Sequence, residues 1–287
     1  MDEVPWDVSD WPVRQDESMG DVNKLWLLDS EGHAWLFKAN REGRSQDEGA
    51  SEYAAALIAR LLHVPAAEVH LATRKAKIGA LCRNLVTDPT HEFVEASSLL
   101  SGLVDDFDPR ARNRVGHNFT NIQELLSEAH PPIGTEGTQS AIGVFGIYLL
   151  FDALIGNTDR HSGNWAFECS IEEPDCLLPS YDHATSLGIT TRDERRQRIL
   201  GGLVSIDSFV RKATAARFEN GRTTTLVDFA IDFNEKFSPH NLPIWRERMR
   251  RLPLHEVSEI LRSSGMSEDG AMLAMRVVET NRRRLME

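Results

Sequence analysis

Residues Ile155–Trp165 read IGNTDRHSGNW, directly after the most apolar stretch of the chain, Ala141–Ile155. Asn157, Asp159, Arg160, His161 and Asn164 fall within eight positions of that segment. Polar groups crowded at the end of a buried helix cost free energy unless partners or a ligand use them. Asp159 and Asn164 by themselves would equally suit helix caps or turns. The reading turns on what accompanies them.

Downstream, LLPSYDHATSLG (177–188) places Asp182 just after a short apolar run. An Asp, an Asn five residues on and a second Asp match the oxygen ligands of a Mg²⁺ ion and a phosphate donor. Mg²⁺ takes one or two protein oxygens and fills its shell with waters and substrate phosphates. In kinase-like phosphoryl transfer the first Asp accepts the acceptor's hydroxyl proton, while the Asn and the second Asp hold the metal. Upstream, Lys38 ends the apolar run Ala34–Lys38 (AWLFK), which sets its stem against apolar surface and leaves its ammonium free for phosphates. Glu52 opens a helical pattern, and a strand Lys paired with a helix Glu is the clamp that orients a donor's phosphates. Glu48 is a rival partner one turn earlier. Ser18, Met19 and Gly20 precede the first strand, where a loop would cover those phosphates, although no G-x-x-x-x-G-K-[ST] loop occurs in the chain.

Other chemistries find less support. His161 and His183 beside Asp159 and Asp182 would suit a two-histidine, two-carboxylate hydrolase centre, but the H-E-x-x-H and H-x-x-E-H helix patterns are missing. There is no G-x-S-x-G elbow. Cys82, Cys169 and Cys176 form no zinc pattern and read as thiols of a reducing cytoplasm. The 32 Lys+Arg against 44 Asp+Glu leave a net charge of −12, which disfavours nucleic acid and anionic membranes as direct partners. The N-terminus lacks the basic and apolar regions of a signal peptide, and Ala141–Ile155, interrupted by Asp152, is too short to span a bilayer. A cytoplasmic protein is expected.

At 287 residues the chain has room for one large domain or two lobes, at roughly 150 residues per domain. Residues 1–22 carry seven acids and one base with Pro5 and Pro12 as breakers, and read as an extended arm or loop. Lys24–Leu28 and Ala34–Lys38, separated by Asp29-Ser30-Glu31-Gly32, read as a β-hairpin. Ala54, Leu57, Ile58, Leu61 and Leu62 predict a helix over Ser51–His63, ended by Pro65. Val69–Thr73 and Ile78–Val86 read as strands. Helices are then expected at Asn121–Ala129, Thr138–Ile155, Leu226–Phe237, Leu254–Ser263 and Ser267–Leu285, with strand-like runs and loops over Ala166–Leu200. The fold class is α+β: a small β-rich lobe and a larger, mainly helical one, with a ligand cleft between them.

These segments resemble the HipA-like kinases, serine/threonine kinases of bacterial toxin–antitoxin systems and their single-chain relatives. IGNTDRHSGNW resembles their catalytic loop and YDHATSLG their metal-binding segment. ESMGDVNKLWLL is similar to their nucleotide loop and first strand, WLFK to their lysine strand and SEYAAALIARLLHVP to their glutamate helix, in order over about residues 16–190. The resemblance implies a two-lobed protein-kinase-like fold with an N-lobe over 1–88 and a C-lobe over 89–287, and ATP and Mg²⁺ as cofactors. It implies Asp159 as the base, Asn164 and Asp182 as Mg²⁺ ligands, and Lys38 with Glu52 on the phosphates. Ser18, Met19 and Gly20 would form the nucleotide loop, with Ser18 a candidate for silencing phosphorylation. Arg83, Asn84, Leu85 and Val86 would form the hinge at the adenine. His161 is placed with the nucleotide-binding residues, its plainer role being to orient the loop backbone.

A protein serine or threonine is the first acceptor so implied, and a small-molecule hydroxyl (antibiotic, nucleoside or sugar) the second. A pseudokinase or antitoxin-bound interaction module is the non-enzymatic alternative, and an antitoxin-like protein is a further candidate partner. The chain is shorter than the long toxin form, and it adds Arg192, Arg195, Arg196 and Arg198 after the metal segment. Those arginines suit either a solvated helix face or a grip on a phosphate or acidic substrate.

Overall fold

Alternation along the hairpin sets the first layer of the fold. In the computed structural model, which describes residues 4–14, 24–41, 46–135 and 139–287, β2 (Lys24–Leu28) pairs antiparallel with β3 (Ala34–Ala39). A short β1 (Trp6–Asp7) precedes them. Asp29 closes the turn by accepting from the backbone N–H of Glu31 and His33, and Gly32 supplies the left-handed residue at φ +86°. Trp35 and Phe37 point to one face of β3, and Leu36 and Lys38 to the other, as the two-residue period requires.

Helix α1 (Glu48–Leu61) covers the Leu36/Lys38 face; it begins three residues before the expected Ser51 and ends two before His63. Strands β4 (Val69–Arg74) and β5 (Lys77–Arg83) complete a sheet of order β1-β4-β5-β3-β2. Its fifth member comes from the stretch expected to be an extended arm or loop. Trp6 and Asp7 pair parallel with Ala72 and Thr73, Val8 is fully buried, and Arg74 donates to the carbonyls of Val8 and Trp11. Part of the acidic arm therefore seals the Trp35/Phe37 face. The expected strand to Val86 stops at Arg83, because Asn84–Val86 leave the sheet to join the two halves of the chain.

Beyond the junction, β6 (Glu92–Glu95) leads into α2 (Ala96–Leu103), α3 (Phe119–Ser127) and α4 (Ala141–Ile155). Strands β7 (Ala166–Cys169) and β8 (Cys176–Leu177) join β6 in a small sheet of order β6-β7-β8. Helices α5 (Asp193–Leu200), α6 (Ile206–Val210), α7 (Leu226–Phe237), α8 (Asn241–Arg251), α9 (Leu254–Ser263) and α10 (Glu268–Met286) complete the chain. Helix α4 is apolar on every side and forms the centre of the helical half, capped by Ser140 at its start. Gly156, at φ +68°, ends it in a left-handed cap and turns the chain into the polar segment that follows.

The two halves share a core. Ala50, Ala54 and Ile58 of α1 belong to the same hydrophobic cluster as residues of α4, α7 and α10, with α9 packed against α1, while Tyr53 and Ala56 on its other side pack under the sheet. Arg248 of α8 also donates to Leu62 O at the end of α1. No helix among the described residues is long and apolar enough to cross a membrane.

Candidate active site

Lys38 emerges from β3 on the side facing α1, and the first helical turns of α1 carry Glu52 to it. Lys38 Nζ lies 3.9 Å from Glu52 Oε2 and 3.1 Å from Asp182 Oδ1, donating a hydrogen bond to the latter. Glu48, the rival, is taken by Arg41 at 3.0 Å. Burial opposes the charge on Lys38, but Glu52 and Asp182 outweigh it and hold its pKa above the usual lysine value. Burial also opposes the Asp182 anion, yet Lys38 beside it holds the carboxyl down at about 2. For Glu52 burial wins over Lys38 and over the backbone N–H groups of His183 and Asp182 that face its carboxylate, and the pKa is raised.

Asp182 itself sits in the left-handed region at φ +61°, a conformation that Asp tolerates better than most residues with a side chain. The surroundings hold it there. Ala67 N donates to Ser180 O and Ser180 N to Pro65 O, which ties the segment to the α1–β4 connection. On the other side, Ser51 of α1 donates to the carbonyls of His183 and Ser186. Helix α1 is thus fastened to the segment that carries Asp182 by the residue next to Glu52.

The Asp159–Asn164 loop is built around Arg160, which is almost wholly buried. Its guanidinium makes two 2.8 Å bonds to Asp152 of α4 and others to Asn164 O (2.6 Å) and Ser180 Oγ (2.7 Å). Asn157 Nδ2 donates to the same Asp152 carboxylate. Burial, with Arg160 adding to it, lowers the pKa of His183 well below the usual value. The imidazole is therefore neutral, with Nε2 facing Arg160 Nη2 and Ser180 Oγ. Since Arg160 only donates, Nε2 accepts and Nδ1 carries the proton. Tyr181 Oη donates to Gly163 O, so the residues just before Asp182 and Asn164 are stitched together.

Asn164 Nδ2 donates to Asp159 O, which leaves its amide oxygen with no hydrogen-bond partner among the described residues. His161 Nδ1 accepts from Gly163 N, the backbone-orienting role expected of it. One ring nitrogen of each histidine is thus taken, His183 Nε2 and His161 Nδ1, and no cluster of three His, Cys, Asp or Glu side chains able to hold a metal is found among the described residues. What remains fits Mg²⁺, which needs few protein ligands: the Asp182 carboxylate, the free Asn164 amide oxygen and phosphates from a substrate.

Lys38, Glu52, Asp159 and Asp182 line one pocket of about 170 Å³, with Gly49 and Thr185. That is below the roughly 300–1,000 Å³ of sites that enclose a whole small ligand, and suits the polar end of a nucleotide. Arg83, Asn84, Leu85 and Val86 do not line it. Arg83 pairs with Glu68 at 3.1 Å and lies over Trp35, Leu85 and Val86 pack into apolar clusters, and Asn84 N binds Ala34 O. Ser18, Met19 and Gly20 lie outside the described residues.

Arg217 was not marked by any sequence motif. Its Nη2 lies 2.6 Å from Asp159 Oδ1, an ion pair whose geometry is not that of a hydrogen bond. Asp152 and Arg160 were visible only as polar residues of the dense segment, and no local signal marks their partnership.

Serine/threonine-protein kinase CtkA of Helicobacter pylori (strain J99) is 24% identical over 189 residues, 65% of this chain and 55% of that protein. The matched part thus spans little more than half the length of that relative. The crystal structure of a Helicobacter pylori proinflammatory kinase CtkA superposes with a TM-score of 0.73 at 19% identity, covering 99% of this chain and 96% of that one. HipA in a Shewanella oneidensis MR-1 toxin–antitoxin complex with HipB and operator DNA gives a TM-score of 0.56 at 16% identity, covering 98% and 67%. No protein-family model matches the chain. The chain is a sequence relative of CtkA and has the α+β fold of the CtkA and HipA kinases, as the resemblance of its motifs led us to expect.

Proposed function

We propose that this chain is a HipA-like kinase, which transfers the γ-phosphoryl group of ATP to a serine or threonine hydroxyl of a protein in the cytoplasm. The observation that carries the reading is the convergence of Lys38 from β3, Glu52 from α1, Asp182 from the metal-binding segment and Asp159 from the catalytic loop on one pocket. The fold and the sequence relative, a named serine/threonine-protein kinase, support the same reaction class. The N-lobe is taken as 1–88 and the C-lobe as 89–287, with the nucleotide loop at Ser18–Gly20 and the hinge at Arg83–Val86.

In this reading Lys38 holds the donor phosphates and Glu52 keeps the ammonium in place. Asn164 and Asp182 hold Mg²⁺, which when bound offsets the charge that develops on the transferring phosphoryl oxygens. Asp159 orients the acceptor hydroxyl and takes its proton. Arg217 fixes the Asp159 carboxylate until the acceptor arrives, and His161 keeps the loop backbone in register. Most of the acceleration comes from positioning and fixed charge. With a net charge of −12, we assign the chain no direct contact with nucleic acid or membrane, and an antitoxin-like protein remains the partner to seek.

A thermal melt with ATP and Mg²⁺ tests the site. A ligand at 100 times its Kd stabilises a protein by about 2.7 kcal/mol. The wild type should show that shift and Lys38→Ala should lose most of it. An equal shift in both would remove Lys38 from the phosphate site.

A further inference from the structure

A second, larger groove of about 730 Å³ opens beside the pocket, on the side of the catalytic loop. Thr158, which precedes Asp159, forms part of its wall, and Thr185 lines both the groove and the Lys38 pocket. A segment lying in the groove would therefore pass close to the residue read as the base. The far wall is the exposed face of α5, with Phe209 and Val210 of α6 beside it.

The charge of this wall is opposite to that of the chain. Arg192, Arg195, Arg198 and Lys212 line it against one carboxylate, Glu194, in a protein of net charge −12. Arg195 and Arg198, three residues apart, share one face of α5, and Arg192 stands at its N-cap beside them. All four cations are exposed, and none has an acidic partner among the described residues; Arg195 only stacks over Phe209 at 5.4 Å. Arg196 behaves differently. It is buried, pairs with Asp193 and donates to the carbonyls of Ile189 and Thr191, so it anchors α5. The arginine cluster thus divides into one structural residue and three that face the groove.

We infer that this groove binds an acidic segment flanking the phosphorylated serine or threonine of the protein acceptor, with Arg192, Arg195, Arg198 and Lys212 reading its carboxylates. The inference rests on the protein-kinase reading above and deepens it. Complementarity favours this occupant: guanidiniums match carboxylates bidentately, and an extended peptide leaves its side chains free to reach them. The apolar floor at Phe209 and Val210 accommodates the aliphatic parts of the same segment.

The test compares serine peptides of one length with acidic, neutral or basic flanks, using ATP and Mg²⁺ and reading kcat/KM for each. Four exposed charge pairs, each contributing a factor of about two to five, predict that the acidic peptide is preferred over the neutral one by more than about tenfold. The preference should reside in KM and shrink as salt reduces the screening length to about 3 Å. In Arg195→Glu/Arg198→Glu/Lys212→Glu the acidic-to-neutral ratio should collapse to one or invert. Arg195→Lys/Arg198→Lys, which keeps the charge but loses the bidentate fork, should keep only part of it, and a melting curve on each variant checks the fold. Transfer to all peptides without an acidic preference, or a preference surviving the triple reversal, would overturn the inference alone. No transfer to any peptide would overturn the protein-kinase reading and the inference with it.

Discussion

Replacing Asp152 by alanine should be among the most damaging single changes outside the pocket. Asp152 receives two 2.8 Å bonds from Arg160 and one from Asn157, and both Asp152 and Arg160 are 2% exposed. In Asp152→Ala the guanidinium keeps its bonds to Asn164 O and Ser180 Oγ but loses its counter-charge where water cannot replace it. Breaking a buried pair from one side costs about 3–5 kcal/mol, against about 5–15 kcal/mol for the whole stability of a domain. Urea unfolding followed by circular dichroism reads this directly; with a slope of about 3 kcal/mol per molar, the midpoint should fall by about 1 M or more. The double variant Asp152→Leu/Arg160→Met removes both charges and should recover much of the stability. It should not recover phosphotransfer, because nothing then holds the Asn164 and Ser180 segments to one another. A loss below about 1 kcal/mol in Asp152→Ala would refute the claim that Arg160 depends on this partner.

Gly79 and His117 offer two independent checks. A Cβ on Gly79 would overlap Lys38 O across the β3–β5 pairing, so Gly79→Ala must push the strands apart at Lys38 itself. Overpacking of this kind costs about 1–3 kcal/mol, and a melting curve together with a nucleotide titration should show loss of stability and of affinity at once. His117 is fully buried, accepts from Trp165 Nε1 through Nε2 and faces Arg217 O through Nδ1, and burial lowers its pKa from 6.5 to about 4. The unfolded chain therefore binds more protons between pH 6.5 and 4. Stability is full above 6.5 and declines as the pH falls toward 4, by about 3 kcal/mol from this group alone. A resonance assigned to the His117 imidazole that titrates near 6.5 in the folded protein would contradict it.

Where the sequence carries a period or a dense motif, it reads through to the structure. Alternation in AWLFK is enough to place Lys38 opposite Trp35 and Phe37, and the 3.6-residue spacing from Ala54 to Leu62 is enough to place α1. Helix α7 and helix α9 span the residues their periods predict. Helix α5 escapes because only Arg196 and Ile199 of it are buried, so no apolar stripe exists to be read. In α8 the proline at position 243 falls in the first turn, where a helix tolerates it, and masks a stripe of Trp245 and Met249. The docking of Trp6–Val8 on β4 depends on a pairing across more than sixty residues, which no local pattern encodes. The same holds at the site. Lys38, Glu52, Asp159, Asn164 and Asp182 sit in recognisable surroundings, whereas Arg217 reaches Asp159 only through the tertiary path of the segment before α7.

The most direct test of the account is transfer of radiolabel from γ-labelled ATP in the presence of Mg²⁺, comparing wild type with Asp159→Asn and Asp182→Asn, each shown folded by its melting curve. Label should pass from ATP to the chain itself or to a serine-containing peptide in the wild type, and fall by at least about a hundredfold in both variants, as expected when a base or a metal ligand is removed. Transfer at wild-type rates in Asp182→Asn would contradict the central claim that Lys38 and Asp182 face each other across the site of phosphoryl transfer.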